Sequence, residues 1–162
     1  MTTIENHQTG PSPHRHGSAP DLEARLGSII AVSQRSERDE GELLEHALNE
    51  AVCLTDSRFG CVYTWSEESR QLSLGACSRD VVTECRVTGQ RSERMLESAG
   101  LWAEAVRQRQ PVIVNDYVTN PTARGLPAGH VGITRFLAVP VFNGGEVRAV
   151  VAVANRTAPY DE

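Results

Sequence analysis

The chain has 162 residues, 40% hydrophobic and 23% charged, with a net charge of −5. That is an ordinary make-up for one soluble domain, long enough to bury roughly two thirds of its unfolded-chain surface without staples. The acidic balance argues against non-specific nucleic-acid binding, and no apolar run approaches the ~20 residues of a membrane span.

The first 20 residues are rich in Pro, His, Gly, Ser and Thr. They read as a disordered lead with no signal-peptide core, which predicts a cytoplasmic chain. His14 and His16 supply too few ligands for a closed metal site. Residues 21–38 form a second unit. Asp21 can cap a helix over Leu22–Gln34, whose Leu22, Leu26, Ile29 and Ile30 make one stripe. That stripe is a candidate dimerisation element.

Residues 39–162 are the predicted domain proper. A helix is expected over Glu40–Leu54, where Leu43, Leu44, Ala47, Leu48, Ala51 and Val52 recur as adjacent pairs every four residues. Phe59–Trp65 and Gln71–Cys77 read as strands of a hairpin joined by a polar turn. Val81, Val82 and Cys85 suggest a helical turn. Leu101, Trp102, Ala105 and Val106 give one face of a helix over Ser98–Arg109, stopped by Pro111. Val112–Val114 is a short strand, and Asn115–Gly132 a long loop of the kind that is usually functional. Arg135–Phe142 and Glu146–Asn155 flank Asn143-Gly144-Gly145, which supplies the positive φ angles of a tight hairpin. The last run is apolar in both parities, Val147, Ala149, Val151 and Val153 on one face and Val150, Ala152 and Ala154 on the other. Such a strand is central and covered on both sides. The expected fold is α+β: a mostly antiparallel sheet of five to six strands, helices on one face and the cross-over segments of 78–132 on the other. A cavity between sheet and cross-over is the natural ligand site.

The order of these elements, and several strings within them, resemble the GAF domain family. "LWAEAVRQRQPVIVNDY" (Leu101–Tyr117) is similar to that family's helix-then-strand segment, and "RFLAVPVFNGGEVRAVVAVAN" (Arg135–Asn155) to its terminal hairpin. "ECR" (Glu84–Arg86) and "GLPAGH" (Gly125–His130) resemble a bacterial subset found beside PAS, histidine kinase and diguanylate cyclase modules. The resemblance covers about Glu42–Glu162. It implies a non-catalytic sensory module with a small-molecule ligand of unidentified chemistry and an attached output domain of histidine kinase or diguanylate cyclase type; with the Leu22–Ile30 stripe, a homodimer is expected. It names no cofactor, no nucleic-acid partner and no membrane contact. The family's domain closes with a helix after the last strand; here Pro159–Glu162 stand where that helix is expected to begin.

Candidate pocket residues are Cys85, Arg86, Trp102, Asn115, Asp116, Tyr117, His130 and Arg135. Each has a plainer reading beside it. Cys85 is a ligand-attachment or redox site, or a buried apolar thiol; the thiol reading is preferred. Bilin-attaching relatives usually place His after their Cys, and Arg86 stands there instead. His130 is a haem or metal ligand, a donor to an anion, or a loop-ordering group. Asn115, Asp116 and Tyr117 line the pocket mouth or cap a turn, with Asp116 able to pair with Arg135 or Arg86. Trp102 stacks on a ligand or packs the core. The four cysteines, Cys53, Cys61, Cys77 and Cys85, form no CxxC pair and read as reduced thiols. Two rivals to the sensory reading remain: a ligand-free dimerisation or spacer module, and a thiol enzyme such as a free methionine sulfoxide reductase using Cys77 and Cys85.

Overall fold

The computed structural model describes residues 22–34, 40–85, 94–96, 99–123, 126 and 129–161. Asp21, Arg86 and the histidines of the first 20 residues lie outside the described residues.

Helix α1 (Leu22–Ser33) precedes α2 (Glu40–Leu54). The hairpin β1 (Phe59–Ser66) and β2 (Gln71–Cys77) follows, then α3 (Arg79–Glu84) and the two-residue β3 (Arg94–Met95). Helix α4 (Leu101–Gln108), β4 (Val112–Val114), β5 (Phe136–Asn143) and β6 (Glu146–Ala154) complete the order. One sheet carries all six strands in the order β3-β2-β1-β6-β5-β4, and every pairing is antiparallel. Among the described residues, no helix is long and apolar enough to cross a membrane.

Strands β1 and β6 form the middle, and both of their faces are covered. On one face α2 buries Leu48 against Val62 and Ala76, flanked by Leu44, Val52, Ala149 and Val151. On the other, Tyr63, Trp65, Phe136, Val150 and Ala152 meet α3, α4 and the cross-over segments in a larger core. The expected two-faced covering is therefore present, with α1 laid on α2 and its Ser28 hydroxyl bonded to the Glu50 carboxylate. The α1 stripe stays open: Leu22, Leu26, Ile29 and Ile30 are all exposed.

Two one-residue bulges set which side chains share a face. In the terminal hairpin, Val141 pairs with Ala149 but Phe142 with Val147, leaving Arg148 unpaired. The extra residue flips Val147 out of step, and it joins Val150, Ala152 and Ala154 in the larger core. Strict alternation had placed Val147 with Ala149 and Val151. The hairpin turns on Gly144 and Gly145, both at positive φ (58° and 83°), as a two-residue primed turn requires. In the first hairpin, Tyr63 pairs with Leu74 and Val62 with Ala76, so Gly75 is the extra residue.

Helix α2 approaches the sheet closely at Gly60. A Cβ there would stand 2.6 Å from Val52 Cγ2 and 2.8 Å from Leu48 Cδ1, whereas one at Gly132 would meet nothing within 4 Å. Gly60→Ala is expected to lose about 1–3 kcal/mol of stability by overpacking. Gly132→Ala should be neutral or stabilising by up to about 1 kcal/mol. Urea denaturation of both variants checks the contrast.

Candidate functional site

The cavity lies on the α4 side of the sheet. Its floor is β1 (Phe59, Gly60, Cys61), β5 (Phe136) and β6 (Ala152 to Ala154). Val81 of α3, Trp102 of α4 and the loop residues His130, Val131 and Ile133 close it. Its volume is about 30 Å³, the scale of one or two water molecules. A drug-sized ligand occupies roughly 300 Å³ or more. A ligand of that size cannot be enclosed in the cavity as it stands.

Two of the predicted residues, Trp102 and His130, border this apolar space. Trp102 sits edge-on to Tyr63 (centroids 5.8 Å apart) and to Phe136 (4.8 Å). Core packing thus accounts for its ring, as its helical neighbours suggested. Its Nε1 is buried without a hydrogen-bond partner among the described residues, and a buried unmet donor costs about 1–3 kcal/mol. His130 Nδ1 lies 2.9 Å from the Val131 carbonyl oxygen. A carbonyl only accepts, so Nδ1 carries a proton.

The remaining predicted residues are placed elsewhere. Tyr117 is buried against Phe136 at 5.9 Å, its backbone N–H bonded to the Thr134 carbonyl. Asp116 is exposed, and among the described residues no ion pair joins it to Arg135. Asn115 and Arg135 hold the segment after β6. The Asn115 amide donates to the Tyr160 carbonyl (2.9 Å) and accepts from the Tyr160 N–H (2.7 Å). Arg135 Nη1 donates to the Arg156 carbonyl (3.1 Å). Cys85 is buried in the larger core at the end of α3.

Two arrangements escaped sequence reasoning. Asn155, at φ 61° just past β6, accepts from the Thr134 N–H (2.8 Å) and donates to the Gly132 carbonyl (2.7 Å). It thereby clamps the loop that carries Val131 and Ile133 over the cavity. An Asn at a strand end is a recognised αL signal, but its partners are distant in sequence. The second is a thiol pair: Cys61 and Cys77, both half-buried, bring their sulfurs to 2.8 Å. Spacing suggested Cys77 with Cys85, whereas the hairpin register sets Cys77 beside Cys61. Either sulfur can donate to the other; the contact with Cys77, with burial adding to it, pushes Cys61 above its ordinary value. The same hydrogen bond lowers Cys77, with burial opposing.

A family model for the GAF domain matches residues 37–162, and the chain belongs to that family. It is 36% identical over 140 residues to a methyl sulfide methyltransferase-associated sensor of Methanosarcina acetivorans. That alignment covers 86% of this chain and 14% of the relative, so the chain spans only a small part of that protein's length. Among solved structures, the GAF domain of a phosphoenolpyruvate-protein phosphotransferase from Coxiella burnetii matches with TM-score 0.72 at 12% identity, covering 87% of this chain and 81% of that one. A free methionine-R-sulfoxide reductase from Neisseria meningitidis in complex with its substrate matches with TM-score 0.62 at 18% identity, covering 87% and 79%.

Tyr160 anchors the segment after β6. Its hydroxyl lies 2.7 Å from Ser57 Oγ, and burial raises it above its ordinary value of 10. An unfolded tyrosine releases its proton near pH 10 while folded Tyr160 keeps it, so this contribution is intact below pH 10 and is lost as pH rises beyond. All 16 basic residues are arginine, so no lysine titration overlaps that window. Unfolding free energy measured from pH 9 to 11 should fall, with a shallower fall in Tyr160→Phe. Asn115→Ala should destabilise by about 1–3 kcal/mol through the unmet Tyr160 backbone groups.

Proposed function

We propose that this chain is a non-catalytic sensory module: a small molecule enters the cavity beneath residues 129–133 and alters the segment that follows β6. The observation that carries this is the apolar cavity bordered by His130 and by Trp102, whose Nε1 meets no hydrogen-bond partner among the described residues. Apolar walls with a few convergent polar groups are the usual make-up of a ligand site. A ligand that suits it is compact and largely apolar, with an acceptor for the indole N–H. The relative named as a sensor supports the same role.

The route outward is short. A ligand must lift Val131 and Ile133, whose neighbours Gly132 and Thr134 are bonded to Asn155. Asn155 begins the 155–161 segment, which Arg135, Asn115 and Ser57 hold down. Loop position and segment position are thereby linked. A ligand shifts their balance only by its differential affinity for the two arrangements. An output domain of histidine kinase or diguanylate cyclase type, acting in the cytoplasm, is the proposed recipient. Likeness of fold to a methionine sulfoxide reductase does not by itself carry that activity; wild type with no methionine sulfoxide turnover closes that alternative.

A second reading rests on the exposed Leu22, Leu26, Ile29 and Ile30 of α1. An apolar stripe of that kind suits a second copy of the chain, and makes the module a homodimer. Light scattering on the chain lacking residues 1–38 tests it: a fall to monomer mass is expected, and an unchanged dimer removes α1 from the interface.

Native mass spectrometry with an absorbance spectrum, on protein purified gently from its own host, tests the ligand. Extra mass on the wild type, diminished in Trp102→Phe (which deletes only the indole donor and some ring area), is expected. A bare, colourless polypeptide counts against the pocket and leaves the dimerisation reading.

A further inference from the structure

Cys61 and Cys77 are directly opposed Cα partners on β1 and β2. Their being opposite is the work of the Gly75 bulge. From Ser66↔Gln71 to Tyr63↔Leu74 the register runs without a break, and continued unbroken it would set Cys61 against Ala76. The extra residue moves Cys77 opposite Cys61 and turns both side chains to the same face of the sheet.

The kind of pair also matters. The next residues along, Gly60 and Ser78, are joined by the Ser78 N–H donating to the Gly60 carbonyl at 2.9 Å. Cys61 and Cys77 therefore occupy a non-hydrogen-bonded site, where Cα atoms are about 4.5 Å apart and side chains lie closest. That separation falls inside the roughly 4.4–6.8 Å that a disulfide spans. With the sulfurs at 2.8 Å, a bond of about 2.05 Å forms with less than an ångström of closure and no change in register.

From this we infer that Cys61 and Cys77 are a redox site that a hydroperoxide oxidises to a cross-strand disulfide. The contact with the Cys61 sulfur lowers Cys77, which favours thiolate there, and the thiolate is the nucleophile. Its sulfur attacks a peroxide oxygen; the O–O bond breaks, Cys77 becomes a sulfenic acid, and the other oxygen leaves as alcohol or water after taking a proton. The Cys61 sulfur then attacks the Cys77 sulfur, losing its proton, and the sulfenic oxygen departs as water. Two electrons pass from the two thiols to one peroxide. Cys61 also borders the cavity, so closing the bond draws part of that wall toward β2. The site does not depend on what the cavity holds.

Hydrogen peroxide added to the purified 162-residue chain provides the test, read by intact mass and by a non-reducing peptide map. The expected result is a loss of about 2 Da, the two thiol hydrogens, a linked peptide joining Cys61 to Cys77, and restoration by dithiothreitol. In Cys61→Ser the loss should vanish and a sulfenic acid on Cys77 should be trapped by dimedone; Cys53→Ser should behave as wild type. Oxygen adducts in wild type without the mass loss, or a link that joins Cys85 instead, overturns the assignment. The wild-type peptide map decides even where Cys61→Ser fails to fold.

Discussion

Strands β1 and β6 lie side by side at the middle of the sheet, and each presents apolar side chains on both faces. Leaving either face to water would forfeit roughly 25 cal/mol for each Å² of apolar surface exposed. One face is met by α2, whose paired apolar residues form a stripe against the sheet, and it comes so close that Gly60 has no room for a methyl group. The other face is met by α3, α4 and the cross-over chain, where the rings of Tyr63, Trp102, Phe136 and Tyr117 pack edge to tilted edge. The cavity lies on this second face. Short, irregular elements cover a sheet less completely than one long helix does, and they can also be displaced at lower cost.

Bulges then redistribute what the central strands present. Arg148 is the extra residue of β6, and it sends Val147 into the aromatic side. Gly75 is the extra residue of β2, and it sets two thiols face to face. Each is a one-residue change in register with a consequence for every side chain beyond it, because the strand repeat is two residues. A substitution at either bulge would therefore be read several residues away.

The segment after β6 and the loop over the cavity are held by one set of side chains. Asn155 bonds the loop; Asn115, Arg135 and Ser57 bond the segment; Arg156 adds contacts to Pro159 and Asp161 within it. Most of these partners are backbone groups, which leaves their positions defined by hydrogen-bond geometry and not by charge. Exposed ion pairs such as Arg148 with Glu146 (3.0 Å) contribute little by comparison. Polar residues that read as pocket lining in the sequence thus turn out to fasten the chain around the pocket.

Local periodicity carried most of the fold. The paired repeat of α2, the alternating β2 and the two-glycine turn of the terminal hairpin are legible because 3.6- and two-residue repeats are properties of the segment itself. The two-faced apolar β6 likewise announced a buried central strand. Trp102 and His130 were legible as site candidates, since a cavity on the cross-over side of such a sheet is lined by residues of those segments. The partners of Asn115, Arg135 and Asn155 were not, and neither was the pairing of Cys61 with Cys77. These depend on bulges and on contacts between residues far apart in sequence, the Cys61–Cys77 pair 16 residues apart and Asn115–Tyr160 45 apart. A bulge leaves no periodic mark of its own, and a hydrogen bond between distant segments exists only once packing has brought them together.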